Sequence, residues 1–127
     1  MDPISDMFIR IKNAQAAGHE SVRLPYSKFK HEIARALERA GYVGEIERKG
    51  KRVKKTLMIQ LRYAGEQPAV SDVKLLSRPS QKIYSSYRDL RPSKTGGAIL
   101  LSTPKGVLSR DEARKEKVGG LIIAEVW

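Results

Sequence analysis

The sequence predicts two small domains, the first mixing helices with strands and the second built mainly of strands. Three observations predict this. Apolar residues recur at helical spacing twice in the N-terminal third of the chain. Two strand-like segments then flank a dense run of cations. The stretch AGEQPAVSD (64–72) carries the Gly, Pro and Ser of a connector, and past it the composition turns β-rich. The division is therefore placed between residues 1–66 and 67–127.

Asp2 followed by Pro3 is a helix start, because the carboxylate caps free N–H groups and proline is tolerated at the first helical position. Ile4, Met7, Phe8, Ile11 and Ala14 supply the apolar stripe, Arg10, Lys12 and Asn13 the polar face, and Gly18 the stop. SVRLP (21–25) is a short alternating strand. Ser27 caps a second helix whose stripe is Phe29, Ile33, Ala36, Leu37 and Ala40, ended by Gly41. YVGEIER and TLMIQLRY are strands around the run KGKRVKK, with Leu57, Ile59, Leu61 and Tyr63 on one face. In the second part VKLLS and KIYSSY are strands joined by a turn at RPSQ. RDLRPSKTGG is a loop holding Arg88, Arg91 and Lys94. GAILLST and LIIAEVW are apolar enough to be central strands.

Charge narrows the function classes. The 127 residues hold 25 Lys and Arg against 14 Asp and Glu, a net +11. Residues 1–66 hold 14 basic and 8 acidic groups, and residues 67–127 hold 11 and 6. Both parts present positive potential, which favours a polyanionic partner. Six cations fall within eight residues at Arg48, Lys49, Lys51, Arg52, Lys54 and Lys55, a cluster that repels itself unless anions sit nearby. With Lys28 and Lys30 at the start of the second helix, and Arg35 and Arg39 further along it, these are candidate phosphate contacts or a plain solvated surface. There are no cysteines, which excludes disulfides, thiolate metal sites and cysteine nucleophiles and fits a reducing cytosol. No apolar run approaches the ~20 residues a membrane span needs.

The densest stretch is STPKGVLSRDEARKEKVGG (102–120). Ser109 and Glu112 have the spacing of a capping box. Pro104, Lys105 and Gly106 suit a tight turn. The local design reads as strand, turn, capped helix, Gly119–Gly120, strand. The hydroxyls of Ser102 and Thr103 lie beside the turn, free to bond phosphates, sugars and base edges, or simply to satisfy the turn's own backbone. Lys82, Tyr84 and Arg88 are further candidate RNA contacts. Tyr84 is a possible stacking platform, whereas Tyr87 reads as half-buried core.

DPISDMFIRIKNA, LPYSKFKHEIARALERAGY, SRPSQKIY and GAILLSTPKGVLSRDEARKEKVGG, in this order along the chain, resemble the bacterial small-subunit ribosomal protein S-eight family over nearly the whole chain. The resemblance implies a two-domain α+β fold, with an N-terminal αβαββ unit and a C-terminal unit of mainly antiparallel strands with short helices. It implies primary binding to the central domain of small-subunit ribosomal RNA during assembly, with the specific contacts in the C-terminal part. Ser102 and Thr103 match the family's hydroxyl motif, Lys105 and Gly106 its turn, Tyr84 its strand tyrosine, and Gly119 and Gly120 its glycine pair. Two positions depart from the pattern: Pro104 stands where a third hydroxyl is usual, and Leu121 where glutamate is usual.

The expected role is structural, in the cytoplasmic ribosome. The partners are ribosomal RNA and neighbouring small-subunit proteins, with feedback on the chain's own messenger as a further expectation. No cofactor, metal or membrane is expected. An RNA-acting enzyme would have to use His19 or His31, and each reads as an ordinary surface residue; no carboxylate pair has metal-site spacing. A general nucleic-acid-binding protein outside the ribosome is the alternative.

Overall fold

The computed structural model describes residues 2–50 and 54–127. Lys51 and Arg52, named above as phosphate contacts, lie outside the described residues. The chain divides into two compact units, Met1–Ser71 and Asp72–Trp127.

In the first unit, helix α1 (Pro3–Ala16) is capped by Asp2, whose Oδ1 accepts from the Ile4 N–H at 3.1 Å. Its buried stripe is Met7, Phe8, Ile11 and Ala14, joined by Gln15. Strand β1 (Ser21–Pro25), helix α2 (Lys28–Arg39), strand β2 (Val43–Lys49) and strand β3 (Thr56–Leu61) follow. The sheet runs β1-β3-β2 and is antiparallel throughout. Alternation along β3 buries Leu57, Ile59 and Leu61, and α1 packs on β1 and α2 on β2. Ile33, Ala34, Ala36 and Leu37 are the buried face of α2, whereas Ala40 is exposed as the cap beyond the last turn.

The division falls after Ser71 rather than after Glu66. A two-residue strand pair, β4 (Tyr63–Ala64) with β5 (Gln67–Pro68), folds back on α1. Buried Gln15 holds it there, donating from Nε2 to the Arg62 carbonyl (3.2 Å) and accepting at Oε1 from the Val70 N–H (2.9 Å). Val70 is fully buried in this unit. The polar bonds of one glutamine thus bind the connector's first residues to the first unit, which composition does not reveal.

The second unit holds β6 (Val73–Leu75), β7 (Tyr84–Ser85), a short 3-10 helix (Tyr87–Asp89), β8 (Ala98–Thr103), β9 (Gly106–Ser109), α3 (Arg110–Glu116) and β10 (Gly120–Val126). The antiparallel order is β6-β10-β8-β9, with β7 also paired to β10. α3 covers one face of β8 and β9. There Leu90, Leu101 and Ala113 form a core cluster with Tyr87, Ile99, Leu108, Val118 and Ile122 around it. Two sequence expectations change. KIYSSY pairs only at Tyr84 and Ser85. GVLS, expected to pass from turn straight to helix, is the hairpin strand β9, registered from Thr103↔Gly106 to Leu100↔Ser109. The α3 capping box is present in both directions, with Ser109 Oγ accepting from the Glu112 N–H and Glu112 from the Ser109 N–H.

Candidate nucleic-acid interface

The strand ends and turn of the 102–120 stretch form a corner of the second unit's sheet. Register places Tyr84 of β7 opposite Leu121 of β10, Leu121 opposite Ser102 of β8, and Ser102 opposite Val107 of β9. Directly opposed residues share a face, so Tyr84, Leu121 and Ser102 form one cross-strand row. Tyr84 is 68% exposed, Ser102 and Leu121 are half-buried, and among the described residues the Ser102 hydroxyl has no hydrogen-bond partner.

Thr103 behaves differently. Neighbours along a strand point to opposite faces, and its face is the one α3 covers. Thr103 is only 9% exposed. Its Oγ1 donates to the Gly106 carbonyl (2.7 Å) and accepts from the Lys105 N–H (3.1 Å). The Ser-Thr pair therefore splits its work: Thr103 closes the turn, and Ser102 offers a free hydroxyl. Lys105 stands exposed at the tip, paired to Glu116 of α3 at 2.9 Å. Gly106 has φ +103°, which only glycine adopts easily.

Gly119 and Gly120 are required by close approach. A β-carbon on Gly119 would fall on the Ser85 carbonyl, and one on Gly120 on the Ser102 carbonyl. The glycine pair is what lets the start of β10 lie between β7 and β8. Lys82 is exposed just before Tyr84, and Arg88 is exposed with its guanidinium 5.6 Å from the Tyr87 ring centre. Tyr87 itself packs on the Leu90–Leu101–Ala113 cluster.

In the first unit, Arg10 pairs with Asp6 (3.0 Å), and Lys12, Asn13, Lys28 and Lys54 are exposed. Lys30 is only 8% exposed, so it lies against the unit's surface rather than standing out with the exposed cations. Arg35 pairs with Glu38 at 3.4 Å, and Arg39 is exposed at the end of α2. Arg48 and Lys55 flank the Tyr26 ring at 5.4 and 5.7 Å, which lets part of the cation cluster rest on an aromatic face.

His31 is half-buried rather than a free surface residue. It meets the Tyr26 ring edge-on at 5.9 Å, and its Nε2 is shielded without a hydrogen-bond partner among the described residues. Burial, with Arg35 and Arg48 nearby, holds its pKa below the usual 6.5, against the opposing pull of Glu32 and Glu38. A group with a depressed folded pKa stabilises above its unfolded value, and that contribution is lost as pH falls through the folded one. The wild type is therefore expected to lose more unfolding free energy than His31→Phe between about pH 7.5 and 5.5 in urea titrations. Equal losses would contradict this account of the site.

A family model described as Ribosomal protein S8 matches residues 2–127. The chain belongs to that family. Curated relatives named small ribosomal subunit protein uS8 are similar throughout. The protein from Coprothermobacter proteolyticus is 45% identical, covering 99% of this chain and 98% of its own length. Those from Mycoplasma mobile and Mycoplasmopsis agalactiae are 42% and 41% identical, covering 99% of this chain and 96% and 97% of their own lengths. Members of the ribosomal protein S8 family are structural parts of the small ribosomal subunit in the cytoplasm, and this chain is not an enzyme. Among the described residues no helix is long and apolar enough to cross a membrane, and no group of acidic, His or Cys side chains has the arrangement of a metal site.

The two departures from the S8 pattern now have places. Pro104 takes the first of the two positions between Thr103 and Gly106, where a tight turn accepts proline and needs no N–H from it. Leu121 sits between Tyr84 and Ser102 in the cross-strand row, so the serine hydroxyl has an apolar neighbour instead of a carboxylate. Sequence reasoning missed Glu125, a carboxylate 8% exposed on β10. Its neighbours in an apolar strand run were the available signal.

Proposed function

We propose that this chain binds small-subunit ribosomal RNA, in its central domain, through the Tyr84–Leu121–Ser102 corner of the C-terminal unit, with neighbouring small-subunit proteins beside it. The observation that carries this is the unpartnered, half-exposed Ser102 hydroxyl in one row with a largely exposed tyrosine, next to a lysine-tipped turn. Folded RNA is read by shape, 2′-hydroxyls and unpaired bases rather than by a probing helix, and a small hydroxyl on a rigid strand permits the close approach this requires. Tyr84 supplies a stacking surface worth ~1–3 kcal/mol per base. Arg10, Lys12, Asn13, Lys28 and the described cations Lys54 and Lys55 of the first unit add sequence-independent attraction to phosphates. A messenger segment folded like the ribosomal site would compete for the same corner, which provides feedback on the chain's own synthesis.

Competition tests this reading. Central-domain RNA should displace a labelled copy of itself at far lower concentration than duplex DNA of equal length, at a fixed salt concentration. Equal competition by DNA would favour a general nucleic-acid-binding protein. Failure of a messenger fragment to compete would remove the feedback reading alone.

A further inference from the structure

The edge of β10 away from β8 is covered in two pieces, by β6 from Ala124 to Val126 and by β7 at Gly120 and Leu121. Between them the chain leaves the sheet, and every residue from Arg78 to Tyr84 is exposed. Ser77 holds both ends of this excursion. Its N–H and that of Leu76 donate to the Ile123 carbonyl (3.4 and 3.0 Å), where the pairing of β10 with β8 shifts register. Its Oγ accepts from the Ile83 N–H (3.0 Å) and donates to the Ile83 carbonyl (3.4 Å). That carbonyl also accepts from the Ile122 N–H at 2.9 Å. One hydroxyl, able both to give and to accept a hydrogen bond, thus takes the Ile83 N–H where the ladder between β7 and β10 stops.

Ile83 immediately precedes Tyr84, the tyrosine of the cross-strand row. Tyr84 is 68% exposed, so burial does not fix it. Its strand is only two residues long and has few ladder bonds to keep it in place. The turn before it, closed by the Arg78 and Gln81 backbones bonding to each other at 2.9 Å both ways, is exposed throughout. On the N-terminal side of Tyr84 the backbone is therefore set by the two Ser77 bonds and the Ile122 bond, all made to Ile83. We propose that Ser77 is a positioning residue for RNA binding: its hydroxyl holds Ile83 so that the Tyr84 ring already stands in the row with Leu121 and Ser102 when RNA arrives. Without that hydroxyl the 78–83 segment has to be ordered during binding, and ordering backbone lowers affinity. Ser77 acts through Tyr84 and itself touches no RNA. The inference rests on the RNA-binding reading above and adds to it the residue that sets the tyrosine.

A double-mutant cycle on the full chain tests it, using wild type, Ser77→Ala, Tyr84→Ala and the double variant. Affinity for the central-domain RNA fragment is measured as a function of salt, and exchange of the Ile83 amide in the free protein by NMR. Ser77→Ala should bind roughly two- to tenfold more weakly, the worth of one hydrogen bond, with a faster-exchanging Ile83 amide and the wild-type salt slope, since no charge is lost. On a Tyr84→Ala background the same change should weaken binding no further, whereas combined with Ser102→Ala the two losses should multiply. Ser77→Thr, which keeps the hydroxyl, should restore both affinity and amide protection. A merely structural role would weaken binding by the same factor with or without the tyrosine. That outcome, an Ile83 amide as protected in Ser77→Ala as in the wild type, or wild-type affinity in a folded Ser77→Ala, would overturn the proposal while leaving RNA binding intact. A wild type that prefers the central-domain RNA no more than duplex DNA of equal length would instead overturn the parent reading and this one with it.

Discussion

Gly120→Ala is expected to destabilise the C-terminal unit by roughly 1–3 kcal/mol or more and to remove RNA binding with it. The reason is local. A β-carbon at 120 would fall on the Ser102 carbonyl, and the atoms it meets are backbone in a central strand, not the movable end of a side chain. β8 is held by β9 on one side and β10 on the other, so it cannot retreat without breaking a ladder. The corner that has to give is the one carrying Tyr84, Leu121 and Ser102. Chemical denaturation reads the stability change, and RNA affinity measured on the folded fraction reads the loss of the corner. Wild-type stability in Gly120→Ala would mean that the strands do not approach as closely as described.

Thr103→Ala and Ser102→Ala, though adjacent, are expected to fail in different ways. Thr103→Ala removes a donor to the Gly106 carbonyl and an acceptor for the Lys105 N–H, both made by a threonine only 9% exposed. Leaving such groups unpaired costs about 1–3 kcal/mol. Its main effect should be a lower unfolding midpoint, largely restored by Thr103→Ser. Ser102→Ala removes a hydroxyl with no partner among the described residues, so the fold should be unchanged. Its cost should appear only in RNA affinity. If the two variants are alike in both readouts, the division of labour between the hydroxyls is wrong.

Much of this architecture was legible in the residues. Asp2–Pro3 and Ser27 marked both N-terminal helix starts, and the Ser109–Glu112 box marked the third. Leu57, Ile59 and Leu61 showed the buried face of β3. Where the reading stopped short, a non-local contact decided. Gln15 draws Val70 into the first unit across a sequence separation that no local pattern records. β9 escaped notice because GVLS is short and runs directly into the capping box that identified α3. His31 looked exposed because its helix is charged, but Tyr26 covers it from outside the helix. The burial of Thr103 was legible and overlooked: side chains alternate along a strand, so two consecutive hydroxyls cannot share one face. Lys30 shows the limit of charge counting, since a long cationic side chain can spend its length covering apolar surface.

The most direct measurement is the affinity of Ser102→Ala for central-domain RNA, taken at one salt concentration beside its unfolding curve. The account predicts binding weakened roughly two- to tenfold, the worth of one hydrogen bond, with the unfolding curve and salt slope of the wild type. Wild-type affinity in a folded Ser102→Ala would contradict it, because the free hydroxyl at the corner would then face no RNA.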